Sequence, residues 1–141
     1  MRRRGLVIAG ALAAFVVSAA GAAAQDNAGQ SRAAEDLQLL ELHRGASQGN
    51  AEDQFQLGVR YAHGAGVSRD DAQAVHWYRK AAEQGHAAGQ FNLGAMYANN
   101  TGVTQDYAQA ARWWREAAEQ GHAGAQANLA MVLAAGRGVA Q

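Results

Sequence analysis

The chain has 141 residues, with twelve basic and twelve acidic side chains, no cysteine and no proline. Without thiols it has no disulfide staple, no thiolate metal site and no cysteine to carry a lipid. Balanced charge without a basic stripe argues against a nucleic-acid partner, and the missing proline leaves long helices open.

The chain begins with an address. Arg2, Arg3 and Arg4 precede an apolar run from Leu6 to Val17, and Ala22-Ala23-Ala24 before Gln25 offers the small side chains a signal peptidase requires. Residues 1–24 therefore read as a cleaved export signal of bacterial type, with a periplasmic or secreted destination. The rival is an uncleaved anchor. Apolar and small residues reach Ala24, just enough for the ~20 residues a bilayer core takes, but Gly10, Ser18 and Gly21 dilute the run. The Arg3-Arg4 pair weakly resembles a twin-arginine signal, and a Sec signal explains it equally. Cleavage leaves 117 residues, nine basic and twelve acidic, a net charge of −3 with histidine neutral. No stable membrane insertion is expected after that step.

Residues 25–33 read as a disordered leader. Ala34–Gln48 then keeps the register of a helix, as an N-terminal capping element. Gln48 falls 36 residues before Gln84, and Ala46 falls 36 before Ala82. Leu37, Leu39, Leu40 and Leu42 replace the aromatic residues of the later copies, as a degenerate end unit allows.

The self-similarity that follows is the strongest feature of the chain. Residues 49–84 align without a gap on residues 85–120, with 20 of 36 positions identical. Among the identities are Gln54/Gln90, Phe55/Phe91, Leu57/Leu93, Gly58/Gly94, Tyr61/Tyr97, Trp77/Trp113 and the run Ala81-Ala82-Glu83-Gln84. Residues 121–141 form a partial third copy. Each copy predicts two helices. The first runs from about Ala51 to Ala62, with Ala51, Phe55, Gly58 and Ala62 on one stripe; small residues there admit a close neighbour. The second runs from about Asp70 to Gln84. The turn Gly64-Ala65-Gly66-Val67 lies between them, and Gly66, Gly102 and Gly138 are expected to take a conformation closed to residues with a Cβ. Ser68 and Thr104 are candidate caps of the second helix, Asp70 and Asp106 suit its positive end, and Gly85 and Gly121 suit its stop.

The pattern A-x-x-Q-F-x-L-G-x-x-Y-A…G-V…D-x-A-Q-A-x-x-W-x-R-x-A-A-E-Q-G resembles the Sel-1-like repeat, a relative of the tetratricopeptide repeat, from about Ala34 to Val139. The resemblance implies an all-α fold, a right-handed α-solenoid of stacked helix-turn-helix units with a 36-residue period, and a role in protein interaction. Two departures stand in the third copy. Ala127 and Leu133 replace phenylalanine and tyrosine, and no second helix follows.

No catalytic constellation emerges, and no cofactor or metal is expected. His86 and His122 sit one period apart in the turns, where the first copy has Asn50. Stacked units lie ~10 Å apart, too far to share a zinc at ~2 Å bonds, so both read as capping or surface residues. His43, His63 and His76 lack ligand spacing and read as surface. Ser31, Ser47 and Ser68 occupy no nucleophile-elbow context, and Gly64-Ala65-Gly66 recurs as a turn without the strand a phosphate loop needs. Arg79/Glu83 and Arg112/Glu116 are i, i+4 pairs worth about 0.3 kcal/mol each. Trp77, Trp113 and Trp114 recur at repeat positions, which points to packing between units over a sugar platform.

The differences between the copies nominate a binding face. Positions shared in the first helices fill one side and the differing positions fill the other, so the differing side is expected to face outward. It carries Gln56, Val59, Arg60 and His63, then Asn92, Met96 and Asn99, then Asn128, Met131 and Val132. An apolar ladder flanked by amides suits a peptide or a helix of a periplasmic or inner-membrane protein. Two other classes compete. Some disulfide-rich relatives implied by the resemblance are credited with hydrolysis of β-lactam or cell-wall material, but cysteine is absent here. Self-assembly is the other, because Leu129, Met131, Val132 and Leu133 lie on a terminal helix with no following partner, giving a homo-oligomer through the C-terminal end.

Overall fold

The computed structural model describes residues 19–138, with side chains from Gln25 onward. Residues 1–18, most of the expected export signal, lie outside the described residues, as does Val139. Among the described residues no helix is long and apolar enough to cross a membrane. Six helices are described: α1 (Ala19–Ser47), α2 (Ala51–His63), α3 (Asp71–Glu83), α4 (Ala87–Ala98), α5 (Tyr107–Glu119) and α6 (Ala123–Ala134).

Two units divide at Leu37/Gln38. In the first, residues 25–33 are helical rather than the disordered leader expected from their polarity, and their side chains are exposed. Alanine-rich sequence without proline favours a helix here, and no core holds it. The second unit is the repeat array, all helical. The helices expected from Ala51 onward appear within a residue or two of their predicted bounds, whereas the capping helix expected over Ala34–Gln48 is the end of a helix described from Ala19.

Local chemistry fixes the helix ends. Asp70 and Asp106 are the N-caps of α3 and α5, accepting backbone N–H groups from Gln73 at 3.0 Å and from Ala108 and Gln109 at 3.0 and 3.1 Å. Ser68 and Thr104, the expected caps, stand two residues too early, and a carboxylate at the cap also complements the helix dipole. Gly85 and Gly121, both at φ +88°, follow the last turns of α3 and α5 as expected. Gly66, Gly102 and Gly138 have positive φ, the conformation predicted for them. At Gly102 sterics add a second demand, because a Cβ would collide with the backbone of Asp71 and Ala72 in the preceding unit.

Two cores form. One gathers Ala74, Val75, Tyr78, Ala82, Leu93 and Trp113, so it joins the first copy to the second. The other gathers Ala110, Ala111, Trp114, Ala117, Ala125 and Val132, joining the second copy to α6. Trp113 thus packs between units as expected, whereas Trp77 is half-buried, its edge against His76.

Candidate functional site

Within a repeat, the two helices meet at a glycine. Gly58 on α2 lies under the Tyr78 ring of α3, and Gly94 on α4 lies under the Trp114 indole of α5. Burial pushes the Tyr78 phenol up, opposed by a hydrogen bond from the Asn92 amide on the next repeat. Trp114 has no hydroxyl; its indole N–H donates to the Phe91 carbonyl at 3.1 Å.

A second series of contacts ties unit to unit. Gln54 and Gln90, both buried, donate through Nε2 to the carbonyls of Ala46 and Ala82 in the preceding helix, at 3.1 and 3.2 Å. Their Oε1 atoms accept from Gln84 and Gln120 of their own repeats, at 2.8 and 2.9 Å. Gln126 repeats the first bond, to Ala118 at 3.2 Å. The sequence showed these glutamines as identities without a role. They add a second hydrogen bond to helix-end carbonyls that also accept a backbone N–H, from Gly49, Gly85 and Gly121.

The histidines are structural. His86 and His122 are the N-caps of α4 and α6, as Asn50 is of α2. Each Nδ1 accepts a backbone N–H, from Gly89 at 3.0 Å and from Ala125 at 3.1 Å, and each ring stacks on a phenylalanine, Phe55 or Phe91. The Nε2–H of His86 donates to Glu52 at 2.8 Å. That bond, after the one from Gln56, holds the Glu52 carboxyl below its ordinary value. His43 is not the surface residue expected. It is half-buried, with Nδ1 donating to the Leu39 carbonyl at 3.0 Å and Nε2 lying 3.4 Å from the Tyr61 hydroxyl. Arg79 likewise leaves its expected partner Glu83 and donates to the Tyr97 hydroxyl at 2.8 Å, while Arg112 keeps Glu116 at 3.6 Å.

A cavity of about 520 Å³ opens between α4, α5 and α6. Ala95, Ala98, Trp114 and Val132 supply apolar lining, and Asn99, Asn128 and Arg137 supply polar groups. Arg137 donates to the Tyr107 hydroxyl at 3.0 Å, with its guanidinium 5.0 Å from the ring centre. At the preceding junction Met96 packs against the core. Val132, at the same repeat position, is shorter, which leaves room.

Of the ten residues nominated from the sequence, four line this cavity: Asn99, Asn128, Met131 and Val132. Gln56, His63, Asn99 and Met131 are exposed, Met131 at 66%. Val59, Arg60, Asn92, Met96 and Asn128 are half-buried, and Val132 is buried. The expected apolar ladder is thus not one continuous free strip. Val59 and Met96 pack against the first core, so part of the differing face is taken up by packing. Arg60 donates to Gln38 at 3.1 Å. Tyr107 and Arg137 belong to the cavity and were not nominated; they lie outside the first helices to which the copy comparison was confined. Among the described residues no group of histidine, aspartate and glutamate side chains is placed to hold a metal.

This architecture has a family match. The Sel1 repeat matches residues 51–86, 87–122 and 123–141. The chain belongs to the Sel1 repeat family. The Sel1 units open at Ala51, Ala87 and Ala123, the first residues of α2, α4 and α6, two residues after the boundaries drawn from self-alignment. Sel1 repeat structures resemble it closely. A protective antigen present in uropathogenic Escherichia coli strains, with an SLR fold, is 44% identical at a TM-score of 0.69, covering 72% of this chain and 22% of its own. A Sel1 repeat protein from Oxalobacter formigenes is 35% identical at 0.64, covering 73% and 48%. Cysteine rich protein B of Helicobacter pylori shares the fold at 24% identity and 0.62, covering 64% and 68%. This chain therefore spans about a fifth and about half of the first two. Among the curated proteins none matches it. Sel1 repeat proteins are generally scaffolds for protein interaction.

Proposed function

We propose that the chain is an exported interaction scaffold that grips a peptide or helix of another exported or membrane protein, with no catalytic step of its own. The observation that carries this reading is the cavity between α4, α5 and α6, where an apolar floor is rimmed by two amides and a guanidinium. Such a mixture suits a protein segment: an apolar side chain fills the hollow, and the amides meet its backbone groups. Met131 stands exposed at the edge, where a flexible thioether adapts to the partner's shape. Export rests on the basic, apolar and small-residue order of residues 1–24.

Charge placed at the rim tests it. Met131→Glu together with Asn128→Asp should weaken capture of the partner by tenfold or more, since an unpaired carboxylate in a half-buried rim must be desolvated. Unchanged capture by a variant with native helicity would remove the cavity from the interface. A mature mass beginning at Gln25 checks export; a chain retaining residues 1–24 would refute it.

A further inference from the structure

The junctions between successive first helices differ at matched positions. Between α2 and α4, Val59 and Met96 pack against the first core. One period later the shorter Ala95 and Val132 take their places, and both line the cavity of about 520 Å³. Each replacement removes side-chain bulk at the junction, which leaves the room.

Charge differs as well. The turn after α4 rests on the start of α3, where a Cβ at Gly102 would meet the Asp71 backbone. The turn after α6 rests on the start of α5, where a Cβ at Gly138 would meet the Tyr107 backbone. At the first place the aligned residues are Thr101 and Asp71, and at the second they are Arg137 and Tyr107. The Asp71 carboxylate is paired with Arg69 at 3.1 Å. Arg137 brings the opposite sign. It is the one charged residue among those lining the cavity, and neither α4 nor α6 carries a charge. Asp106, next to Tyr107 in the chain, is engaged in capping α5.

The guanidinium is also aimed. Its Nη1 donates to the Tyr107 hydroxyl at 3.0 Å, and its centre lies 5.0 Å from the centre of that ring. Together the bond and the ring hold its plane. Among the described residues no carboxylate pairs with it. That leaves the Nε–H and Nη2–H edge, which a carboxylate takes with two parallel bonds. Trp114 follows Tyr107 by seven residues on α5, two turns or ~10 Å along the axis. The cavity thus has a cationic end and an apolar body at a set separation.

We infer that the segment held in the cavity places an aspartate or glutamate side chain on Arg137 and a large apolar side chain against Trp114 and Val132. Across ~10 Å the two stand about three residues apart in an extended segment, or about seven in a helix. The whole chain is balanced at twelve basic and twelve acidic residues, so the preference for acid is local to the cavity. This deepens the cavity reading and rests on it.

The test uses the full chain and a library of random peptides displayed on phage through their C-termini, so that a selected carboxylate belongs to a side chain. The native chain should enrich aspartate or glutamate at one of those spacings from a large apolar residue. Arg137→Gln, at an exposed position, should enrich the apolar residue without the acid, at unchanged helicity. For a synthetic peptide from the native selection, changing its acid to the amide should weaken binding to the native chain about fivefold. The same change should leave binding to Arg137→Gln unaltered. Peptides without a preferred acid, or an acid preference that persists in Arg137→Gln, would overturn this inference and leave the cavity reading in place. Peptides that bind the Met131→Glu, Asn128→Asp variant as well as the native chain would overturn the cavity reading too, as would a library from which nothing is retained.

Discussion

A Cβ added at Gly94 would come within 2.6 Å of the indole nitrogen of Trp114. The indole is 4% exposed and anchored by its bond to the Phe91 carbonyl, so it has little freedom to retreat. Gly94→Ala should therefore cost about 1–3 kcal/mol, as overpacked cores do. In a domain of this size that lowers the melting temperature by about 4–8 °C per kcal/mol. Adding Trp114→Leu, which removes bulk opposite the new methyl group, should recover part of the loss. An unchanged melt for Gly94→Ala would mean that α4 and α5 do not approach closely there.

Gln90 bridges two helices from a buried position, donating to Ala82 and accepting from Gln120. Gln90→Leu keeps the bulk and removes these bonds, leaving the Gln120 amide without this partner and the Ala82 carbonyl with only its backbone N–H from Gly85. The loss should be about 1–3 kcal/mol, read from the urea midpoint. A variant as stable as the parent would show that water replaces the glutamine.

His86 does three things: it caps α4, stacks on Phe55 and donates to Glu52. His86→Ala should cost about 0.5–2 kcal/mol, the usual loss for a removed cap. Asn50 serves as the cap of α2, so His86→Asn should restore the cap and leave the loss of the stack and of the bond to Glu52. Equal losses for the two variants would assign the effect to the ring's stack and its bond to Glu52 and not to the cap.

Glu52 sets a pH dependence. Its carboxyl is held below its ordinary value of 4.5 by the bonds from Gln56 and His86. A depressed carboxylate contributes stability that is present above the unfolded-state value and is lost as pH falls through the folded-state value. Urea midpoints should decline through that acid window, and Glu52→Gln should make the decline shallower. The contribution is small, because the carboxylate is largely solvated. An identical acid limb in the variant would assign the decline to other carboxylates.

Much of this fold was legible before any coordinates. The 36-residue period, the helix pair, the turn glycines and the incomplete third copy all follow from matching residues, since periodicity records which side chains must face a neighbour. What escaped depends on atoms opposite one another in space. The glutamine bridges cross between helices. Arg79 prefers the Tyr97 hydroxyl of the next unit to Glu83 on its own helix, and no spacing rule within one helix reports that. The cap fell to Asp70 over Ser68 by a shift of two residues, inside the usual blur of helix boundaries. The cavity lining was half legible. Differences between copies picked out Asn99, Asn128, Met131 and Val132, which line the cavity, but could not tell core packing of Met96 from exposure to solvent.

The central claim is that the cavity beside Met131 receives a segment of another protein. In-cell photocrosslinking addresses it most directly, with a photoreactive residue at Met131 and a control at the exposed Lys80. A discrete adduct from Met131 alone, with the mass of this chain plus a different protein, is the predicted result. No adduct, the same adducts from Lys80, or only a product of twice the chain mass would contradict it.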